Sequence, residues 1–296
     1  MDMMIGRRWC VLGMVFGLGW FGGLVGAYGQ LPTLNEAPWY GFFVGHKGSR
    51  GVFGITGEGV MNYNHSETLV NVNSGYFHRI FPGVEEATAD GEIVLRRLVP
   101  ESLETTDEPT TSPDTVTYRG EVRGGAKIEV VVEFGRRDVS IGGRIVEPAP
   151  SGLPARFVLH VQAPPFYLGY NERKTRREGT PQERAQLERR DAQQRATAAR
   201  ENLVLRRLDG SRVRQSILGE VDLSSGDFNG DGFNALDVDL DALRGRKISI
   251  TTTENSRMMF SNEGSQEIFK NSYFFTWHED PAQRNSGRGR LVFGTR

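Results

Sequence analysis

Between Arg214 and Arg244 the chain carries no basic residue, and the middle of that window reads GDFNGDGFNALDVDLDAL, residues 226–243. Asp227, Asn229 and Asp231 alternate there, and Gly232 follows. Oxygen side chains at alternate positions can converge on one hard cation, and a glycine after the third permits the sharp turn that brings them together. A backbone carbonyl at Phe233 would add a ligand, and Asp237 or Asp239 could close the shell. The chemistry is Ca²⁺ binding. The same residues, as Asn-Gly and Asp-Gly pairs, also make a plain turn between two strands. Glu220, Asp222, Asp227, Asp231, Asp237, Asp239 and Asp241 lie close in sequence. Like charges across a sheet are destabilising, so a cation would relieve them, as would arginines from RRLDGSRVR or water.

The string from Asp227 to Gly232 resembles the calcium loops of EF-hand and dockerin modules and of FG-GAP propeller blades. The resemblance spans about a dozen residues. It implies Ca²⁺ held by Asp227, Asn229, Asp231, the Phe233 carbonyl and a closing acid. The EF-hand pattern places that acid at its twelfth position, which here is Val238, with Asp237 and Asp239 on either side. A dockerin-like loop one residue shorter closes at Asp237. The FG-GAP pattern places an acid where this chain has Ala235.

The residues after the loop set its local structure. Leu236, Val238 and Leu240 alternate with Asp237, Asp239 and Asp241, which is the period of a strand with one apolar and one acidic face. GEVDL before the loop alternates too. The expectation is strand, connection over residues 226–232, strand, with the connection either pinned by calcium or a simple turn.

Elsewhere the chemistry is sparse. His46, His65, His78, His160 and His278 include no i, i+4 pair, and the chain has no HExxH, no G-x-S-x-G and no phosphate-loop spacing. His160, in FVLHVQ, reads as a packed strand residue, and HED at 278–280 as a polar strand end. Glu85 and Glu86 are consecutive in a turn, which says nothing of a catalytic pair. Tyr40, Phe42, Tyr273, Phe274, Phe275 and Trp277 could line a carbohydrate surface; strand packing explains them more simply.

The elements that would carry these groups are mostly strands. WYGFFVGH, GVFGITGEGVMNYN and ETLVNVNSGYF are short β-prone runs broken by turn formers. AKIEVVVEFGRRDVSIGGRIVEP predicts a hairpin, with Ile128, Val130 and Val132 on one face, a turn over residues 135–138, and Val139, Ile141 and Ile145 returning. SLETTDEPTTSPDT reads as a mobile polar loop. At residues 171–207 the texture changes to charge and alanine. Thr180-Pro181-Gln182-Glu183 is a helix start, with Thr180 as cap, Pro181 at the first turn and Glu183 completing a capping box. The helix is expected to run to about Glu201 with a weak stripe of Ala185, Ala192, Ala196 and Ala199, as a solvated connector or a basic docking element. Strands resume after Asn202.

The fold class expected is mainly β, an antiparallel sandwich or a pair of sandwiches, with one exposed charged helix inserted near residues 181–201. Residues 1–29 read as a secretory leader: Arg7 and Arg8, an uncharged stretch from Trp9 to Ala27, and small residues Ala27 and Gly29 at a cleavage site. Residues 30–165 then form a β domain, 166–202 a charged linker or insertion, and 203–296 a second domain or the completion of the first. The sole cysteine, Cys10, lies in the leader, so no disulfide is expected in the remainder. No second apolar run is long enough to span a membrane. The net charge of -1 gives no case for nucleic acid. These readings point to a bacterial protein, exported to the periplasm or beyond, non-catalytic, with a binding or structural envelope role and a polysaccharide or envelope-protein partner. The alternative is a secreted hydrolase acting on polysaccharide through an acid pair assembled from distant strands.

Overall fold

A computed structural model describes residues 30–49, 51–64, 78–162, 180–216, 225–239, 247–253, 255–261 and 274–295. The alternation of apolar and polar residues sets the strands. In chain order they are β1 (Phe42–Lys47), β2 (Val52–Thr56), β3 (Met61–Asn64), β4 (His78–Ala87), β5 (Ile93–Arg97), β6 (Thr115–Glu121), β7 (Lys127–Phe134), β8 (Asp138–Glu147) and β9 (Ala155–Gln162). The helix α1 (Pro181–Ala198) follows, then β10 (Asn202–Arg207), β11 (Arg212–Ser216), a short α2 (Gly226–Asn229), β12 (Phe233–Asp239), β13 (Lys247–Thr252), β14 (Ser256–Ser261), β15 (Phe274–Glu279) and β16 (Leu291–Thr295). The leader, the GEVDL segment and Asp241 lie outside the described residues.

The class is mainly antiparallel β, as the sequence pattern predicts. The hydrogen bonding runs through one continuous sheet rather than through separate facing sheets, in the order β1-β2-β3-β4-β9-β15-β14-β12-β13-β16-β8-β7-β6, with β5 on β4 and β10–β11 beyond β12. The sheet curls around one core. Phe43, Phe53, Ile80, Val130, Leu159, Leu236, Ile250, Trp277 and Phe293, from nine different strands, belong to a single buried cluster.

Two sets of contacts hold the curl. Residues 104–110, part of the 102–115 stretch expected to be mobile, instead bridge the two end strands. Glu104 pairs with Arg119 of β6, and the Thr117 amide donates to Asp107 Oδ2 at 2.7 Å. At the other end of the segment, the Gly45 amide of β1 donates to the Thr110 carbonyl at 3.1 Å. The backbone groups left over on two sheet edges are thereby satisfied, which a free loop would not achieve. Across the seam Tyr63 Oη lies 3.3 Å from Thr295 Oγ1, and the Tyr63 and Phe293 rings are 5.1 Å apart.

The β7–β8 hairpin forms as expected, with Asp138 already in strand and its carbonyl accepting from the Gly135 amide at 2.9 Å. The helix starts with the full capping box between Thr180 and Glu183 and ends at Ala198. Residues 181–190 are exposed on every side. The expected alanine stripe does not pack: Ala185, Ala192, Ala196 and Ala199 are exposed, and Ala198 is the buried one. Its face is too small to hold the helix against the sheet, so the helix projects. Among the described residues no helix is long and apolar enough to cross a membrane.

Candidate functional site

From Ser225 the acidic loop makes one helical turn and enters β12. Ser225 caps that turn, its Oγ accepting from the Phe228 amide at 3.2 Å. Gly230 and Gly232 adopt φ of 54° and 113°, a region open to glycine at little cost, and this is what turns the chain into the strand. Phe228 is buried against Phe260. Asn229 is 4% exposed, and its amide copies a strand residue: Nδ2 donates to the Phe260 carbonyl at 2.8 Å and Oδ1 accepts from the Phe260 amide at 2.9 Å.

The other residues of the expected calcium shell are spread around this anchor. The carboxylates of Asp227 and Asp231 are exposed. Arg207 donates to the Asp227 and Phe228 carbonyls, and Arg257 to the Asp231 carbonyl at 3.4 Å. Phe233 is fully buried at the start of β12 and stacks on Phe260 at 5.2 Å. Asp237 and Asp239 share one face of β12, as the period predicts. Asp237 Oδ1 accepts from Ser249 Oγ at 2.7 Å, and Asp239 pairs with Lys247 at 2.8 Å. The structure thus brings Asn229 to β14 and the two strand acids to β13. Arginines, rather than acids, reach the loop's carbonyls.

The sheet's outer face carries a second polar array that sequence reasoning missed. Glu85 of β4 pairs with Arg156 of β9 at 2.7 Å, and Arg257 of β14 with Asp280, just past β15, at 2.7 Å. His278 lies buried beside both pairs. Burial first, then the Arg156 and Arg257 charges, push its imidazole below the ordinary value, against the Glu279 carbonyl and Glu85. His160 is 3% exposed, stacked on Phe274 at 4.4 Å and 3.2 Å from Thr276 Oγ1. Burial, helped by Arg97, pushes it down to about 4. It is a packed residue, as its strand context suggests.

Other acids are held by fixed partners. Glu86 is buried and is kept below the usual carboxylate range by the Ser151 hydroxyl and Arg96. Glu129 is kept there chiefly by Arg119, opposed by burial and aided by Arg144, at 2.6 and 3.0 Å. Glu279 accepts from the Ser286 hydroxyl at 2.7 Å and from the amides of Arg288 and Gly289 at 2.9 and 2.7 Å, so it fastens the loop before β16. A carboxylate followed within ten residues by Ser286-Gly287-Arg288-Gly289 is a signal that could have revealed this anchor.

No protein-family model matches the chain, and no curated protein matches it. Among solved structures it is similar to a galactose mutarotase related enzyme from Lactobacillus acidophilus, at 10% identity over 85% of this chain and 96% of that one, with a TM-score of 0.39. It is also similar to the Slr1438 protein from Synechocystis sp. PCC 6803, at 11% identity over 83% of this chain and 92% of that one, with a TM-score of 0.36.

Proposed function

We propose that the protein is an exported, non-catalytic β protein that acts by binding, or as a structural part of the envelope or extracellular matrix, toward a polysaccharide or an envelope protein. One observation supports the non-catalytic part most directly. Glu86, Glu129, Glu183 and Asp209, the carboxyl groups whose titration is displaced among the described residues, are all displaced downward. A hydrolase acting through an acid pair needs one carboxyl held protonated near neutral pH, which requires the opposite displacement. Here Glu86 and Glu129 serve as charges that tie strands together, Glu183 caps a helix and Asp209 holds a turn. Export rests on the leader pattern at residues 1–29, and a calcium-stabilised acidic loop on Asp227, Asn229 and Asp231. The purified protein, incubated with a panel of polysaccharides, should release no new reducing ends. Release of new reducing ends by the purified protein would establish the hydrolase instead. Cell fractionation with N-terminal sequencing should find the exported chain beginning near Gln30, and an intact leader on the mature protein would remove the export part.

A further inference from the structure

We propose that the edge of β11 that no described strand pairs is a docking strand for an extended acidic segment of a partner protein, seated by Arg206, Arg212 and Arg214. Three observations carry this. First, Arg206 and Arg212 are direct cross-strand partners, and Arg214 stands two residues along on the same face. The Arg207 amide donates to the Ser211 carbonyl at 2.9 Å, which makes that neighbouring pair the bonded one. The alternation of an antiparallel ladder then makes Arg206·Arg212 a non-bonded pair, the arrangement in which facing side chains come closest. Two guanidiniums directly opposite each other destabilise a sheet.

Second, no side chain among the described residues neutralises them. Leu203 and Leu205, on the opposite face of β10, are buried in the core, so the arginine face looks outward. On the other neighbour of β10, Ala235 stands opposite Arg206, and Asp237 stands opposite Val204 with its carboxylate bonded to Ser249. The surroundings add to the field. Residues 180–216 hold nine arginines, no lysine and five acids. Arg184, Arg189 and Arg190 lie on the fully exposed part of α1, where they would steer an acidic partner inward.

Third, β11 pairs with β10 alone among the described strands. The same alternation that sets Arg206 against Arg212 turns the amides and carbonyls of Arg212 and Arg214 away from β10. Another peptide strand satisfies such a row of donors and acceptors in register. A strand laid there antiparallel, with acids at alternate positions, would place carboxylates over Arg212 and Arg214, where guanidinium can bind them bidentately. A second copy of the same edge is disfavoured, since it would set arginine against arginine. One charge suffices to guard an edge from aggregation. A like-charged pair at the closest cross-strand position goes further and lowers stability until an anion arrives.

The inference extends the binding reading above, and the two fail separately: hydrolytic activity would end that reading and leave this edge untouched. The test uses the full chain and a fluorescent peptide, Thr-Asp-Val-Asp-Val-Asp-Thr, read by anisotropy. The peptide should bind, less tightly at high salt, and Arg212→Gln with Arg214→Gln should weaken it roughly tenfold or more. The Arg212 and Arg214 amide protons should exchange more slowly when it is bound. The same peptide N-methylated at alternate residues should fail to bind. Equal binding of the N-methylated peptide, or binding of dextran sulfate without the peptide, would overturn strand addition and leave a polyanion patch. Arg212→Gln alone removes one of the opposed charges and should raise the melting temperature. A fall would overturn the unrelieved repulsion on which the inference stands.

Discussion

Asn229 and His160 show how one side chain can decide between readings. Asn229 sits at the third position of the calcium string, yet its amide is fully engaged with the Phe260 backbone, one donor and one acceptor in place. Asn229→Asp therefore separates packing from metal binding. An ionised Asp offers only acceptors, so the Phe260 carbonyl loses its donor inside a buried site, which costs about 1–3 kcal/mol. In chelator the variant should melt below wild type; an unchanged melt would refute the anchoring role. The calcium proposal is tested on the same samples. If a cation is held by Asp227, Asn229 and Asp231, millimolar calcium should raise the wild-type melt, by about 2.7 kcal/mol at a hundredfold excess over the dissociation constant. Asp231→Ala should abolish that gain, and identical wild-type curves with calcium and with chelator would end the proposal. His160 carries a pH prediction. Its imidazole is pushed down to about 4 in the fold from an ordinary 6.5. Between those values the unfolded chain binds a proton that the folded chain refuses. The contribution is therefore complete above pH 6.5 and is lost as pH falls toward 4, by about 3 kcal/mol in all. Urea midpoints at neutral and acid pH should fall less steeply for His160→Gln than for wild type, and parallel curves would show that His160 does not carry the effect.

At the scale of elements, α1 stands almost alone. Its first ten residues are exposed on every side, and its start is secured by Thr180 and Glu183. Removing a cap of this kind costs about 1 kcal/mol of helix stability. Thr180→Ala should reduce the helical far-UV signal while the sheet's melting temperature stays in place, because the sheet does not lean on the first three turns. An unchanged helical signal, or a shift of the whole melt, would show that the helix is propped by the body. This element was legible in the sequence because all its partners lie within three residues. The β7–β8 hairpin was legible from the alternation of its apolar residues on either side of the turn at 135–138, and the strand after the acidic loop followed from the alternation of Leu236 and Val238 with Asp237 and Asp239. Alternation states which face a residue occupies but not which strand lies beside it. Glu85 and Arg156 are 71 residues apart, and Asn229 and Phe260 are 31 apart, so their pairing awaited the fold. Residues 102–115 look like loop because their composition is polar. Their order comes from the sheet curling until two edges need the same segment, which no local pattern records.

At the scale of the whole molecule, the strands of the two halves of the chain are interleaved. The last strand, β16, pairs with β8, and β15 lies between β9 and β14. Trp277 of β15 is fully buried and packs edge-on against Phe157 of β9 at 6.3 Å. Strands before and after α1 therefore supply one core, and contacts of such long separation form late and slowly. The sequence left open whether residues 203–296 make a second domain or complete the first, because strand texture is the same on either side of the helix. The interleaving predicts the answer to an experiment. A fragment of residues 30–165 would expose the β9 and β8 edges and uncover Phe157, Leu159 and Ile141, which the later strands bury; unpaired edges and a bare apolar face favour aggregation over folding. Expressed alone, it should give no cooperative melt and no fixed aromatic near-UV signal. Mixed with residues 180–296 under refolding conditions, it should recover both. A sharp unfolding transition from the first fragment by itself would mean that its strands own a complete core and that the later strands are an addition to it.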